Sequence, residues 1–153
     1  MMQVTVLGRD YEGQNCSIAR ALEVIGDRWT LLVVRDVFLG RRRFDELHES
    51  LGIATNVLAD RLDRLVADGI LERVRYSERP ERFEYRLTKM GGELRVPLLA
   101  LMQWGDRHLS PKPPRVARRR GDHARVKVAL VAADGSPVSP AELEVVPGPG
   151  ARR

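Results

Sequence analysis

The order of hydrophobic periods along the chain constrains its fold more than any single residue does. Helix-period stretches come first, each closed by a glycine. Ile18, Leu22 and Ile25 recur at helical spacing over Ser17 to Ile25, with Asn15 as a candidate cap and Gly26 at the end. Asp27 can cap a second stretch, Trp29 to Leu39, which Gly40 terminates. Leu31, Leu32, Val33, Val34, Val37 and Phe38 make that stretch apolar around most of its circumference, so it is expected at the centre of a core. A short helix is predicted after Arg41-Arg42-Arg43, with Phe44 and Leu47 facing inward. Its first turn holds Asp45 and Glu46, where the helix dipole favours anions. The loop Leu51-Gly52-Ile53 leads to a fourth helix, about Thr55 to Asp68. Leu58, Leu62, Leu65 and Val66 form its buried stripe and Gly69 stops it.

The period then switches from helix to strand. Leu71 to Tyr76 and Arg82 to Leu87 read as two strands around the polar tip Ser77-Glu78-Arg79-Pro80-Glu81. Thr88 is placed to cap a long helix to about His108. Leu94, Leu98, Leu101, Met102 and Trp104 supply its apolar surface, and Pro97 predicts a kink or a break. Pro111 to Pro114 reads as a linker. Beyond it, Arg125 to Val131 and Leu143 to Val146 look like two strands, with a turn at Asp134-Gly135 but too long a connection for a tight hairpin. Pro147 to Arg153 are expected to be disordered. The predicted fold class is mainly α with a small β wing (α+β).

Composition narrows the function classes. A chain of 153 residues, 43% apolar, suits one compact domain plus an appendage. No apolar run reaches the ~18 residues of a membrane span. Met1 to Asp10 lacks the basic-then-apolar order of a secretory signal, so a cytoplasmic setting without membrane contact is expected. The single cysteine, Cys16, excludes an intramolecular disulfide and any cysteine-rich metal site within one chain. Net charge is +5, but it is unevenly placed: residues 1–110 hold 17 Lys+Arg against 17 Asp+Glu, and residues 111–153 hold 9 against 4. All the excess lies in the tail. For the first 110 residues, local arrangement must carry any argument for an anionic partner.

Four stretches together resemble the HxlR-type winged helix-turn-helix regulators, over roughly residues 14–108. They are Cys16-Ser17-Ile18-Ala19-Arg20-Ala21-Leu22, Ile25-Gly26-Asp27-Arg28-Trp29-Thr30-Leu31-Leu32, Arg43-Phe44-Asp45-Glu46-Leu47 and Leu58-Ala59-Asp60-Arg61-Leu62. Glu84-Tyr85-Arg86-Leu87-Thr88 and Trp104-Gly105 are also similar. Each is weak alone; the order and spacing make them strong. The resemblance implies a winged helix-turn-helix domain over 14–108; the residues beyond it read as a linker at 109–114, a small metal-free β appendage at 115–147 and a disordered tail at 148–153. It implies a homodimer formed by the first and last helices, a recognition helix at 55–68 and a wing at 72–87. It also implies transcriptional repression or activation, often in answer to small electrophiles or oxidants. Three departures stand out. Ala54-Thr55 replaces a common Ser-Pro, so the recognition-helix cap is Thr55 or absent. Cys16-Ser17 replaces a common Cys-Pro. The tail keeps only His123, with Asp122 and Asp134, where some relatives carry paired cysteines like a small zinc ribbon.

A helix fits the major groove of double-stranded DNA and presents its N-terminal side chains to base edges. With Leu58, Leu62 and Leu65 buried, the opposite face offers Thr55, Asn56, Ala59, Asp60 and Asp63. Asn56 is the best base reader, because its amide can pair bidentately with adenine; the alternative is that it helps cap the helix. Asp60 would repel phosphates unless it contacts a cytosine amine or pairs with Arg61 or Arg64, and pairing is the preferred reading. Arg61 can contact DNA or tie the helix to its neighbours. Arg41, Arg42 and Arg43 are candidate phosphate clamps, against the alternative of a solvated basic turn. Arg79 and Arg82 flank the wing tip and can reach an adjacent minor groove or phosphate, contacts that position rather than specify.

Cys16 falls at the start of the first helix, where the dipole and Arg20 would favour a thiolate and suit an oxidant sensor. A small, buried, inert cysteine is the preferred alternative. Tyr11, Trp29 and Trp104 are candidates for an effector pocket, although aromatics at helix spacing are more often core. An enzyme is not expected: there is no glycine-rich phosphate loop, and His48, His108 and His123 lack a matched nucleophile or metal-ligand spacing. No cofactor or metal is expected. Two other readings stay open. One is a winged-helix protein-interaction module that has lost DNA binding, and the other is a MarR-like regulator with different dimer helices.

Overall fold

The computed structural model describes residue 11 and residues 13–151, which fall into two units that meet in sequence at Glu93 and Leu94. The reading of Met1 to Asp10 lies outside the described residues. No helix among the described residues is long and apolar enough to cross a membrane.

The first unit runs α1 (Ser17–Ile25), α2 (Thr30–Phe38), α3 (Phe44–Leu51), α4 (Thr55–Ala67), β1 (Leu71–Glu78), β2 (Glu81–Leu87) and α5 (Lys89–Gly92). Its core collects Val33, Val34 and Val37 of α2, Leu47 of α3, Ile53, Leu58, Leu62 and Leu65 of α4, Ile70, and Leu71 and Tyr85 of the strands. Each leucine so buried contributes about 1.5–3 kcal/mol. The centrality expected of the second helix holds on the face carrying Val33, Val34 and Val37, whereas Leu32 and Leu39 stay exposed. Asp27 starts α2 as expected. Its Oδ1 accepts from the backbone N–H groups of Trp29 (2.9 Å) and Thr30 (3.1 Å), and its Oδ2 accepts from the Thr30 hydroxyl (2.7 Å). The N-cap residue of α1 is Cys16, one position after Asn15, and its side chain makes no cap bond.

β1 and β2 form an antiparallel pair, from Leu71 opposite Leu87 to Glu78 opposite Glu81. The strands run further than expected and the tip shrinks to Arg79-Pro80. The register slips between Arg75 and Ser77, leaving Tyr76 as the extra residue of a bulge, a device that re-aims side chains. Gly69 turns the chain from α4 into β1 at φ +75, a conformation that disfavours a side chain. At Gly91 a Cβ would lie 2.1 Å from the Ile70 carbonyl oxygen, so only glycine lets α5 meet the strand backbone.

The long helix expected from Thr88 to His108 is two helices. Thr88 caps α5, its hydroxyl accepting from Gly91 N at 3.0 Å, and the break falls at Glu93-Leu94. Pro97 explains it. The ring has no N–H for the Glu93 carbonyl and would clash with it, so Pro97 is tolerated only within the first turn of a new helix.

The second unit begins with α6 (Arg95–His108) and continues into a small hairpin, β3 (Leu130–Val131) paired with β4 (Pro137–Val138), and a short 3-10 turn at Pro140–Glu142. This corrects two expectations. Asp134-Gly135 does make a tight hairpin, closed by Ala132 N to Ser136 O (2.8 Å) and by Asp134 Oδ1 accepting from Ser136 N (2.9 Å). Leu143 to Val146 is not a strand, and the expected strand from Arg125 reduces to a single antiparallel bridge, Arg125 with Arg118, beside which the extended backbone is held by a side chain. Gln103 of α6 donates from Nε2 to Val126 O (2.9 Å) and accepts at Oε1 from Val128 N (3.0 Å). One amide thus satisfies an acceptor and a donor of extended backbone and docks the appendage on α6.

Candidate nucleic-acid interface

The helix-turn-helix is α3, the turn at Gly52 to Ala54, and α4. Gly52 takes a left-handed conformation (φ 61), Ile53 is buried, and Ala54 is the N-cap residue of α4. No side chain caps α4, so of the two options left by the sequence the absent cap is the one found. Its first backbone N–H groups are therefore open to an external acceptor, at the positive end of the helix dipole. Thr55, Asn56, Ala59 and Asp60 are all exposed on this helix.

Two charged residues of α4 are engaged by partners within the protein. Arg61 is 14% exposed, and its Nε lies 3.1 Å from Asp27 Oδ2. Of the two roles open to Arg61, its geometry is that of tying α4 to the start of α2. Asp60 is held by Arg61 Nη1 at 2.5 Å and Arg64 Nε at 3.2 Å, the internal pairing expected of it. Its charge is thereby balanced within the helix. Asp27 itself titrates below its ordinary range. Burial pushes its pKa up, but the bonds from the Thr30 hydroxyl and from the Trp29 and Thr30 backbone, with Arg61 beside it, outweigh that.

The basic turn before α3 is built against the wing. Tyr85 N of β2 donates to Arg42 O at 2.7 Å, so the turn continues the ladder for one residue. Glu46 reaches back to accept from Arg42 N (2.9 Å) and Arg43 N (3.0 Å). Those bonds, first from Arg43 and then from Arg42, hold the Glu46 carboxyl below its usual range. Arg41 is drawn towards Asp36, fully buried on α2, at 3.7 Å. Arg42 is exposed and forms no ion pair among the described residues. Arg43 lies over the ring of Tyr76, its Cζ 4.7 Å from the centroid. At the wing tip, Arg79 and Arg82 are exposed and likewise form no ion pair among the described residues. Arg75 is paired to Glu81 at 2.9 Å.

Sequence reasoning missed the aromatic supports of this surface. Arg73 sits 3.9 Å and Arg75 5.7 Å from the Phe83 ring centroid, and Tyr76 carries Arg43. Alternating Arg73, Arg75 and, across the tip, Phe83 and Tyr85 hinted at one mixed face. Only the register, Arg75 opposite Phe83 and Arg73 opposite Tyr85, brings them together.

The candidate sensing residues do not converge. Tyr11 lines a cleft with Leu22, Glu23, Asp27, Thr30 and Arg64, but Trp29 does not line it and instead lies under Arg28, 5.1 Å from Cζ. Trp104 belongs to the second unit, where its ring is 5.1 Å from that of His108; it is half exposed rather than core. Cys16 is exposed, which corrects the reading of it as a buried apolar residue: α1 has no buried residue at all. Among the described residues no group of three or more His, Cys, Asp or Glu side chains is placed to hold a metal ion.

Three helices closed by a two-stranded wing, with an uncapped exposed helix beside unpaired arginines, define a winged helix-turn-helix protein. The family model for the HxlR-like helix-turn-helix matches residues 24–113, and the chain belongs to that family, one of transcription regulators and not of enzymes. An uncharacterized HTH-type transcriptional regulator of Mycobacterium tuberculosis strain H37Rv is 42% identical over 153 residues, covering 97% of this chain and 95% of its own. The crystal structure of PA1607, described as a candidate transcription factor, superposes with a TM-score of 0.76 at 39% identity, covering 88% of this chain and 96% of that one. The reduced form of the transcriptional regulator YodB from Bacillus subtilis gives a TM-score of 0.54 at 30% identity, covering 64% of this chain and 98% of that one.

Proposed function

We propose that the protein binds double-stranded DNA sequence-specifically as a homodimer in the cytoplasm and represses transcription from the site it covers. The observation that carries this is the uncapped N-terminus of α4, with Asn56 exposed beside it and Arg42, Arg79 and Arg82 free of ion pairs among the described residues. Asn56 reads a base edge in the major groove, the open N–H groups of α4 and Arg42 take phosphates, and Arg79 and Arg82 contact the adjacent backbone or minor groove. Of the two aspartates on the recognition face, Asp60 is already paired with Arg61 and Arg64 inside the helix. The dimer reading rests on α1 and α6. Each lacks a buried residue, yet they expose Ile18 and Leu22, and Val96, Leu101 and Trp104. Apolar surface of that kind is expected to be covered by a partner.

The test is a gel-shift with the DNA upstream of the protein's own gene and its neighbours, run across salt and with an oxidant. Specific binding to one fragment is expected, footprinting as two half-sites about 10 bp apart, centre to centre. Equal affinity for every fragment would defeat the sequence-specific reading.

A further inference from the structure

The charge that balances over residues 1–110 is left in excess beyond them, and the fold of the second unit shows where part of it goes. Residues 117–126 fold back on themselves. Arg119 N donates to Ala124 O at 2.8 Å, Val126 N donates to Ala117 O at 3.0 Å, and Arg118 bridges Arg125 in antiparallel register. Both bonds flank the Arg118–Arg125 pair and neither joins it. The two arginines therefore occupy a non-hydrogen-bonded position, where facing side chains come closest, with Cβ atoms about 4.5–5.5 Å apart. Like charges directly opposite each other destabilise a ladder.

A carboxylate could relieve this, and the turn contains one. It is committed elsewhere. Asp122 is bound to Arg119 by Nε to Oδ1 at 3.1 Å and by Nη2 to Oδ2, and it also accepts from Ala124 N at 3.1 Å. That pairing lowers the Asp122 pKa and raises that of Arg119. Asp106 of α6 lines a cleft together with Arg125 and Lys127 but pairs with neither. Among the described residues, Arg118, Arg120 and Arg125 form no ion pair. The extended backbone that follows is held to α6 by Gln103, so these cations stand on a docked scaffold.

We propose that the 117–126 hairpin is a second DNA-contacting surface, one that binds backbone phosphates and reads no bases. A phosphate held between Arg118 and Arg125 turns a repulsive pair into two charge-assisted, fork-shaped contacts, for which guanidinium geometry is suited. The proposal takes duplex DNA as its partner from the reading above, but not the recognition helix as the only contact.

The test uses full-length protein and a mixed-sequence duplex of about 40 bp, with affinity measured between about 50 and 200 mM salt, where the slope of log affinity against log salt is about −0.9 per phosphate neutralised. The double variant Arg118→Gln/Arg125→Gln is expected to lower the salt slope by about 1, for the one phosphate the pair holds, and to weaken binding roughly ten-fold at the low-salt end. The same loss is expected on DNA from upstream of the protein's own gene. Both positions are exposed and the backbone bonds do not use their side chains, so the melting temperature should hold. Arg120→Gln, outside the bridging pair, is expected to lower the slope by about 1. An unchanged slope and affinity in the double variant overturns the proposal. So does competition by millimolar inorganic phosphate that matches the whole effect of the double variant, which would mean a small-anion site. The failure of the recognition-helix reading looks different: Asn56→Ala would leave the preference between DNA fragments intact while the double variant still flattened the slope. If the intact chain binds no duplex, both readings fall.

Discussion

The guanidinium of Arg43 lies over the ring of Tyr76, 4.7 Å from Cζ to centroid, and so joins the turn before α3 to the bulge of the wing. The two segments proposed to approach DNA are thereby held in one orientation, which would lower the entropy lost on contact between Arg43 and a phosphate. An exposed cation–π contact is worth about 0.5–1 kcal/mol. Tyr76→Ala is therefore expected to weaken DNA binding by up to about two- to five-fold, with a melting temperature lower by no more than a few degrees, whereas Tyr76→Phe keeps the ring and the affinity. Fluorescence anisotropy with a labelled duplex checks this; equal affinities for the Ala and Phe variants would remove the positioning role of Tyr76.

Asn56 and Arg79 should fail in different ways. Asn56 is exposed near the open start of α4, and a bidentate pair with a base is worth about 1–3 kcal/mol of discrimination. Asn56→Ala should reduce the preference for the specific fragment over mixed-sequence DNA while leaving the salt dependence alone. Arg79, at the tip between β1 and β2, should contribute affinity for any sequence. Arg79→Ala should weaken all fragments alike and lower the salt slope by about 1. Titrations of both variants on both DNAs at three salt concentrations separate the outcomes, and an unchanged slope in Arg79→Ala would exclude the phosphate contact.

Much of the first unit was legible because its signals are local. Asp27 caps α2 within three residues, Leu58, Leu62 and Leu65 mark the buried stripe of α4, and Gly69 ends it. Pro97 announced a disruption, yet its position within a first turn, and so the break at Glu93-Leu94, depended on where the new helix could start. The appendage misled for a physical reason. An alternating run such as Val126 to Val128 looks like a strand whether a whole strand pairs with it or, as here, one bond from Val126 to Ala117 and the side chain of Gln103, distant in sequence. The site divides the same way. Exposed arginines were visible as residues, but the inward turn of Arg61 towards Asp27, 34 positions away, is a tertiary fact. So is the meeting of Arg73 with Phe83, which a strand register determines.

Asp27 predicts an acid-sensitive link between α2 and α4. Its folded pKa lies below the ordinary value, so the stabilisation it brings is fully present above the unfolded carboxyl pKa of about 3.9 and is lost as pH falls through its lower folded value. Asp27→Asn keeps a capping oxygen but loses the charge that faces Arg61, so it should destabilise at neutral pH by less than the roughly 0.5–2 kcal/mol lost when a helix cap becomes alanine. The gap between the variant and the intact chain should close only below about pH 4. Thermal melts at pH 7 and across the acid range test this; a gap that stayed constant down to pH 2 would mean that the Asp27 charge contributes nothing.

The exposed apolar faces of α1 and α6 predict the assembly state. Ile18 is 71% and Trp104 52% exposed, values out of keeping with large apolar side chains left facing water. Ile18→Glu or Trp104→Glu places a charge that an apolar interface would have to desolvate, at a cost of several kcal/mol, while in an exposed position it costs the folded chain little. Each variant is expected to sediment as a folded monomer at concentrations where the intact chain sediments as a dimer, with unchanged far-ultraviolet circular dichroism. Each should also bind a two-half-site DNA fragment at least ten-fold more weakly, because the second half-site no longer arrives tethered to the first. Variants that still sediment as dimers would place the interface elsewhere on the molecule.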